Sequence, residues 1–501
     1  MINLIKKELK NKSMTENGAT GYKSTNSALV DLNYQVSSLR EAKEEEITTL
    51  FDKAFKEDKE YTLKWLFYAR DIREGLGERR LFRICYDRLS ELDINAFCKN
   101  LTHISEYGRW DDLISLIGLS KAIDEYIIEI VKKQLKNDLE NITHNKPISL
   151  LGKWMPSENA SSKKTKTLAK KVRKLLGMSS RQYRLILSDL RKHINIVERK
   201  ACSNEWDTID YEKVPSLANL RYKSSFLKHD EKRRREYLES VKSGKSKMNM
   251  EVATPVDIVS RYTHNRSFYS RAMDYDETLE LAWQKLKDIS IKDTLVVADG
   301  SGSMTIPVSG RTTALDVANA LAIYTSEHNN DAYKNKYITF SSRPQFVEFD
   351  EDNSLREKLI TAFKHNEIAN TNIEAVFDLI LGLAVENNLR PDMMVKNVLI
   401  ISDMEFDRAQ RTAHSSTYLT KPLFEEIKKK YHNEGYKLPK LIFWNVNSRT
   451  KTIPLIENDL GVVLVSGFSQ NVLKMVMSSN YDPYEVLVEV LDSERYDRIT
   501  L

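Results

Sequence analysis

The sequence predicts an α + α/β protein: an N-terminal array of α-helical repeats followed by a doubly wound, mostly parallel α/β domain. Three observations predict it. Over roughly the first 290 residues apolar side chains recur at three-to-four spacing in successive short stretches. Beyond Lys292 short β-branched runs alternate with helical stretches. The chain has 501 residues, more than one hydrophobic core supports, so at least two folding units are expected.

Residues 1–36 read as an irregular N-terminal segment, with Asn17-Gly18 and Gly21 as turn signals. A helical-repeat domain then spans 37–292. Leu50, Phe51, Ala54 and Phe55 make one apolar stripe, Leu63, Leu66 and Phe67 a second, and Leu81, Phe82, Cys85 and Leu89 a third. Helices this short with one apolar stripe cannot stand alone, so neighbours must stack, as in HEAT-like solenoids. A basic segment, 161–250, lies inside this domain, with a helix expected at 163–176, a stop at Gly177, and a second helix opened by Ser179 or Ser180. Ser243-Gly244-Lys245-Ser246 reads as an exposed turn.

In the α/β domain, 293–501, strands are expected at 294–298, 337–340, 395–402, 441–446 and 462–465. Helices are expected at 314–328, 372–387, 421–431 and 469–477. Apolar strands alternating with helices imply a parallel sheet buried on both faces, and such sheets bind ligands at the carboxyl ends of their strands. The first strand runs into Asp299-Gly300-Ser301-Gly302-Ser303, which sets one carboxylate and two hydroxyls on a tight loop. Thr371 precedes a helix, where a plain N-cap is its bland reading, and Asp403 follows the strand ending at Ser402. Hard oxygen ligands with few charges suit Mg²⁺ or Mn²⁺ with a coordination position left for an outside ligand. The metal site therefore comprises Asp299, Ser301, Ser303, Thr371 and Asp403.

Net charge is +5 but uneven. Residues 161–250 hold roughly 24 Lys/Arg against about 10 Asp/Glu, about +14, leaving about −9 elsewhere. That segment suits a phosphate-binding surface, although such a run also serves as a solvated helix face. The three cysteines, Cys85, Cys98 and Cys202, lack paired spacing and read as reduced, mostly buried thiols. No apolar stretch of membrane-spanning length or signal-type core occurs, so a cytoplasmic protein is expected.

Hydrolytic chemistry finds little support. A haloacid-dehalogenase-type phosphatase needs a second Asp where Ser301 stands, and no Walker lysine precedes Thr312. His328, His365 and His414 stand beside no obvious nucleophile. A non-enzyme is expected.

The Asp-x-Ser-x-Ser run with Thr371 and Asp403 resembles the metal-ion-dependent adhesion site of von Willebrand factor A domains. The resemblance implies Ser301 and Ser303 as direct ligands, Thr371 as a third hydroxyl, and Asp299 and Asp403 as carboxylates acting largely through water. In that family a partner's acidic side chain often fills the free position. The front half resembles the TROVE module of the Ro autoantigen, telomerase-associated and vault proteins, a helical-repeat ring. The matching pieces are Thr15-Glu16-Asn17-Gly18-Ala19, Arg70-Asp71-x-Arg73 to Gly77-Glu78-Arg79, and Glu106-Tyr107-Gly108-Arg109-Trp110-Asp111-Asp112-Leu113. The whole chain resembles a family of unassigned function from phages, bacteria and plants. That family shares these pieces and Asp403-Met404-Glu405-Phe406-Asp407, Phe443-Trp444-Asn445 and Val465-Ser466-Gly467-Phe468-Ser469.

Read from the residues, Arg70, Asp71, Arg73, Glu78 and Arg79 serve as inter-repeat ion pairs and caps, with direct contact to RNA as the alternative, and Trp110 as a core anchor. The Ro-like resemblance implies binding of structured or single-stranded RNA, with no DNA specificity. The contacts expected first are Lys170, Lys171, Arg173, Lys174, Arg181 and Arg184, with Tyr183 or Tyr222 stacking on bases. The expected function is a non-catalytic, ribonucleoprotein-type RNA-binding scaffold. The alternative is a metal-dependent protein-interaction module that captures a partner carboxylate without RNA. No membrane partner is expected, and oligomeric state is left open.

Overall fold

The computed structural model describes residues 11–194, 196–264, 273–330, 333–340, 343–366, 372–407, 423–478, 480 and 482–501. The chain divides into two compact units. One runs from the N-terminal segment to Thr62 and resumes at Ala253–Arg495; the other is Leu63–Val252 with Tyr496–Leu501.

The first unit is built on a six-stranded sheet. In chain order, β1 (Lys12–Met14) and β2 (Thr20–Tyr22) form a separate antiparallel hairpin. Strand β3 (Thr294–Asp299) opens the main sheet, and β4 (Pro307–Ser309) and β5 (Thr312–Thr313) make a small ribbon after it. Next come β6 (Lys336–Phe340), β7 (Gln345–Glu348), β8 (Asn397–Ser402), β9 (Lys440–Asn445) and β10 (Val462–Ser466). The main sheet has the order β10-β9-β8-β3-β6-β7. Every pairing is parallel except β6 with β7. Strands β9 and β10 are buried at every residue, as sheets covered on both faces require, whereas β7 buries only Val347 and reads as an edge.

The helix Ala314–Glu327 packs on β3, β6 and β8 and is buried from Ala314 to Ser326, so its apolar character on all sides is a core signature. Thr313 and Asp316 form its capping box. The helix Pro255–Thr263 packs on it, and Glu277–Gln284 packs on Pro255–Thr263 and Leu355–His365. Buried Glu280 accepts from Leu355 N (2.8 Å), Arg356 N (3.0 Å) and Tyr262 Oη (2.6 Å), anchoring the start of Leu355–His365. These contacts move the boundary of the unit from the expected residue 293 back to Ala253.

The N-terminal segment is also ordered differently from expectation. Tyr22 and Ile453 exchange two backbone hydrogen bonds of 2.8 Å. A Cβ on Gly21 would stand 2.4 Å from the Ile453 carbonyl oxygen, so only glycine permits the approach. The helix Ala28–Tyr34, capped by Ser27, packs on β10, and the Asn445 amide donates to Tyr34 O (2.9 Å). Ser37 N donates to Ser466 Oγ (2.9 Å). Residues 11–36 are therefore a hairpin and a buried helix of the sheet unit, with partners more than 400 positions away.

The second unit is helical. Its longest helix is Lys121–Thr143, and the basic helices are Lys163–Leu175 and Ser180–His193, the latter opened by a Ser179–Gln182 capping box. Phe67 meets Phe82, Tyr86 and Tyr107 edge-on, and Tyr107 stacks on Tyr496. The C-terminal residues thus join this core: the Tyr496 hydroxyl bonds Asp71 Oδ2 (3.2 Å), and the Asn100 amide donates to Thr500 O (2.8 Å). The cysteines are free, but only Cys85 is buried, while Cys202 is exposed. Among the described residues no helix is long and apolar enough to cross a membrane.

Candidate metal centre

Between β3 and β8 the sheet order reverses direction: from β3 the chain proceeds to β6 on one side, then returns to β8 on the other. Such a switch point leaves an open crevice at the carboxyl ends of the two strands. Asp299 is the last residue of β3, and Asp403 directly follows Ser402 at the end of β8, with Ala298 opposite Ile401 in the register. Both carboxylates are buried.

Hydrogen bonds link three of the four described metal candidates, and the fourth, Asp403, lies close enough to Asp299 for the two charges to interact. Asp299 Oδ1 accepts from Ser301 N (2.9 Å) and Oδ2 from the Ser402 hydroxyl (2.6 Å). The Ser301 and Ser303 hydroxyl oxygens lie 3.0 Å apart, and the Ser303 side chain favours the charged form of the neighbouring Asp403 carboxylate. A Cβ on Gly300 would come within 2.8 Å of Asn366 Oδ1 and Thr339 Oγ1, so a larger residue there would have to displace both side chains. Thr371 lies outside the described residues.

The electrostatics have one direction. Burial raises the Asp299 carboxyl above its ordinary range, and the neighbouring Asp403 raises it further. Burial also raises Asp403, against the opposing pull of the Arg449 guanidinium. Two buried carboxylates side by side favour a cation. The hydroxyl pair fits one as well, since adjacent ligands on an octahedral ion with bonds of about 2.0–2.1 Å stand about 3 Å apart. Among the described residues no three His, Cys, Asp or Glu side chains gather for a metal, so any ion here relies on the serine oxygens.

Several residues escaped the sequence reading. Arg449 Nη1 donates to Asp403 Oδ2 (3.0 Å), while its Nε and Nη2 reach Glu16 Oε2 (2.8 and 2.7 Å). Buried Glu405 accepts from Glu16 N (2.9 Å), Arg449 N (2.7 Å) and Thr450 N (2.8 Å), and the Thr450 hydroxyl adds a further bond. Asn17 donates to Glu405 O (2.6 Å) and Thr15 to Phe406 O (2.6 Å). The signal for Glu405 and Glu16 lay in two motifs already singled out, Thr15 to Ala19 and Asp403 to Asp407. Ser402 had the strand end to mark it. Arg449 had none.

On the helical unit the six cations expected to meet RNA divide. Lys170, Lys174, Arg181 and Arg184 are exposed. Lys171 instead pairs with Asp124 (2.7 Å), and Arg173 with Glu158 (2.9 Å) and the Met178 carbonyl (2.8 Å). Tyr183 is buried and donates to Pro156 O (2.8 Å), so its ring belongs to the core and cannot stack on a base. Tyr222 is half-buried, its hydroxyl 3.4 Å from Glu198. The front motifs are packed: Asp112 accepts from Arg70, Arg83 and Arg109 N, and Trp110 is buried.

Residues 293–497 match a family described as a domain of unknown function (DUF7788), and residues 15–129 and 119–294 match one described as a domain of unknown function (DUF2828). The chain is similar to an uncharacterized protein of Acanthamoeba polyphaga mimivirus, 29% identical over 523 residues that cover 96% of this chain and 87% of that protein. The DUF2828 match spans more than half of the chain, from the Glu16 segment through the helical unit to the foot of β3, and the protein belongs to that family.

Proposed function

We propose that this protein is a non-catalytic scaffold whose sheet unit, of von Willebrand factor A type, takes up Mg²⁺ or Mn²⁺, and whose helical unit binds RNA in the manner of Ro-like proteins. Ser301 and Ser303 would hold the ion directly, with Asp299 and Asp403 behind them and Thr371 as the third hydroxyl that the resemblance implies. One observation carries the metal reading: two hydroxyl oxygens 3.0 Å apart stand over two buried carboxylates at the switch point of a parallel sheet. A bound ion there supplies charge that orients an outside oxygen ligand.

The non-catalytic reading rests on the histidines of the sheet unit and on the bonding of the two serines. His328 and His365 each direct Nδ1 to a carbonyl of their own helix, Tyr324 O and Thr361 O, which is the behaviour of structural histidines. His414 lies outside the described residues. The Ser301 and Ser303 hydroxyls bond each other beside two buried carboxylates, an arrangement for holding a cation and not for activating a nucleophile.

Titration calorimetry with Mn²⁺ tests the metal reading. The Ser301→Ala, Ser303→Ala double variant should lose uptake while keeping its far-UV circular dichroism. Undiminished uptake by that variant removes the assignment. The RNA reading draws on Lys170, Lys174, Arg181 and Arg184, four of the exposed cations of Lys163–Leu175 and Ser180–His193, none of the four in an ion pair among the described residues. Crosslinking of bound RNA to wild type, with reduced recovery from a Lys170, Lys174, Arg181, Arg184 to Ala variant, tests it. Equal recovery would assign that face to solvation alone.

A further inference from the structure

The guanidinium of Arg449 occupies an unusual place beside a candidate cation site. The residue is held from three directions, its backbone N–H on Glu405 and, through the guanidinium, its Nη1 on Asp403 and its Nε and Nη2 on Glu16. Glu16 is itself pinned through its backbone N–H to the other Glu405 oxygen, so both ends of the bridge are fixed on one buried carboxylate. Asp403 has its Oδ1 occupied by Glu405 N (3.2 Å), which leaves Oδ2 as the oxygen that Arg449 takes.

We infer that Arg449 is the resident counter-cation of the metal site: it neutralises Asp403 before a metal arrives, and Glu16 is the acceptor that draws it aside when the metal enters. The inference rests on the metal reading above. An arginine does not shed its proton at any ordinary pH, so a dication sharing Asp403 with it meets a fixed positive charge. The only relief is movement. Glu16 offers that relief because it already holds two of the guanidinium nitrogens and is about half exposed, with room to follow them. Arg449 therefore opposes metal uptake, and Glu16 assists it. A bridge that served only as a clamp between the N-terminal segment and the 448–451 loop would give no such opposition: losing either partner would loosen the same contact and shift metal binding in the same direction.

The test is Mn²⁺ titration calorimetry on the full chain, with Arg449→Gln, Glu16→Gln and a remote charge control, Lys396→Gln. Lys396 pairs with Asp293 (3.2 Å), which precedes β3 and so lies at the end of that strand opposite Asp299. Arg449→Gln is expected to bind Mn²⁺ about tenfold more tightly, as removal of one nearby unit charge predicts, Glu16→Gln several-fold more weakly, and Lys396→Gln as wild type. Unchanged or weaker binding by Arg449→Gln, with its circular dichroism intact, overturns the inference, as does a shift of both variants in one direction. The Ser301→Ala, Ser303→Ala variant separates the two levels. If it binds as wild type, or if wild type takes up no Mn²⁺, the metal reading falls and this inference with it. If only the serine variant loses binding, the direction of the Arg449 effect decides.

Discussion

Asp112→Ala should be among the most damaging single substitutions in the helical unit. The Asp112 side chain is fully buried, and Arg70 beside it is nearly so. Asp112 Oδ2 takes Arg70 Nε at 2.9 Å and Nη2 at 2.7 Å as well as Arg109 N at 3.0 Å, and Oδ1 takes Arg83 Nε at 2.7 Å. Burial already lowers the Arg70 pKa despite the carboxylate, so the guanidinium bears a desolvation cost that Asp112 chiefly offsets, with a smaller contribution from Asp111. Removing one partner of such a pair costs about 3–5 kcal/mol. Arg83 is a third exposed and adds little after solvent screening. For a unit of this size about 1 kcal/mol moves the melting point by about 2–4 °C, so a loss near 4 kcal/mol corresponds to about 8–16 °C.

Two units make a single melting curve ambiguous, so hydrogen exchange in the helix Arg79–Leu92 of the full chain is the assay. Asp112→Ala should accelerate exchange there, while Arg70→Met with Asp112→Leu should recover most of the protection, because no charge is left buried alone. A cost below about 1 kcal/mol for Asp112→Ala, or a double variant no better than the single, would refute the argument. The result bears on function, since the Arg70 to Leu113 motifs would then act as packing and not as an RNA-contacting surface.

Other perturbations probe other parts of the molecule. Replacing Lys170, Lys174, Arg181 and Arg184 by Ala should reduce the magnitude of the salt slope of single-stranded RNA binding by about 2 to 3 on a log–log plot, at roughly 0.7 per phosphate contact; an unchanged slope would show that these cations touch no phosphate. Glu405→Gln turns a donor toward backbone N–H groups and should cost the sheet unit about 3 kcal/mol, read as faster proteolysis near residues 15–19, whereas wild-type resistance would demote Glu405 to a bystander. Asp31, raised above 3.8 by burial, keeps its proton in the folded state after the unfolded chain has lost it. Its contribution to stability therefore falls as pH rises from 3.8 through the raised value, and Asp31→Asn should flatten that part of the stability profile relative to wild type; parallel profiles would contradict the assignment.

Where the pattern was local, the sequence carried it. The strands β3, β6, β8, β9 and β10 appear within two residues of their expected positions because each is a bounded apolar run. Edge strand β7 escaped notice since Gln345 to Glu348 buries one side chain and shows no run at all. Asp299, Ser301, Ser303 and Asp403 were legible because topology places strand ends together and loop glycines mark the turn. Arg449 was not, being 46 positions from its partner on a loop without period or motif. Lys171, Arg173 and Tyr183 look in sequence like any other cation or aromatic of the basic segment. Only Asp124, Glu158 and Pro156, brought in by folding, consume them.

The segment 15–19 and the segment 403–407 are two distant stretches of sequence but one piece of structure. Glu405 is acceptable in the core because three backbone N–H groups and the Ser448 and Thr450 hydroxyls surround its carboxylate, and one of those N–H groups belongs to Glu16. Gly18 bridges Asp407, and Tyr22 completes an edge with Ile453, so the early residues supply hydrogen bonds that the 403–407 and 448–453 loops lack by themselves. A chain started at residue 293, the first residue of the second family match, would leave Glu405 short of a donor, Arg449 without Glu16, and the Ala28–Tyr34 helix missing from β10. The fold unit is therefore larger than that matched segment, and the loop that carries Asp403 depends for its conformation on residues nearly 400 positions before it.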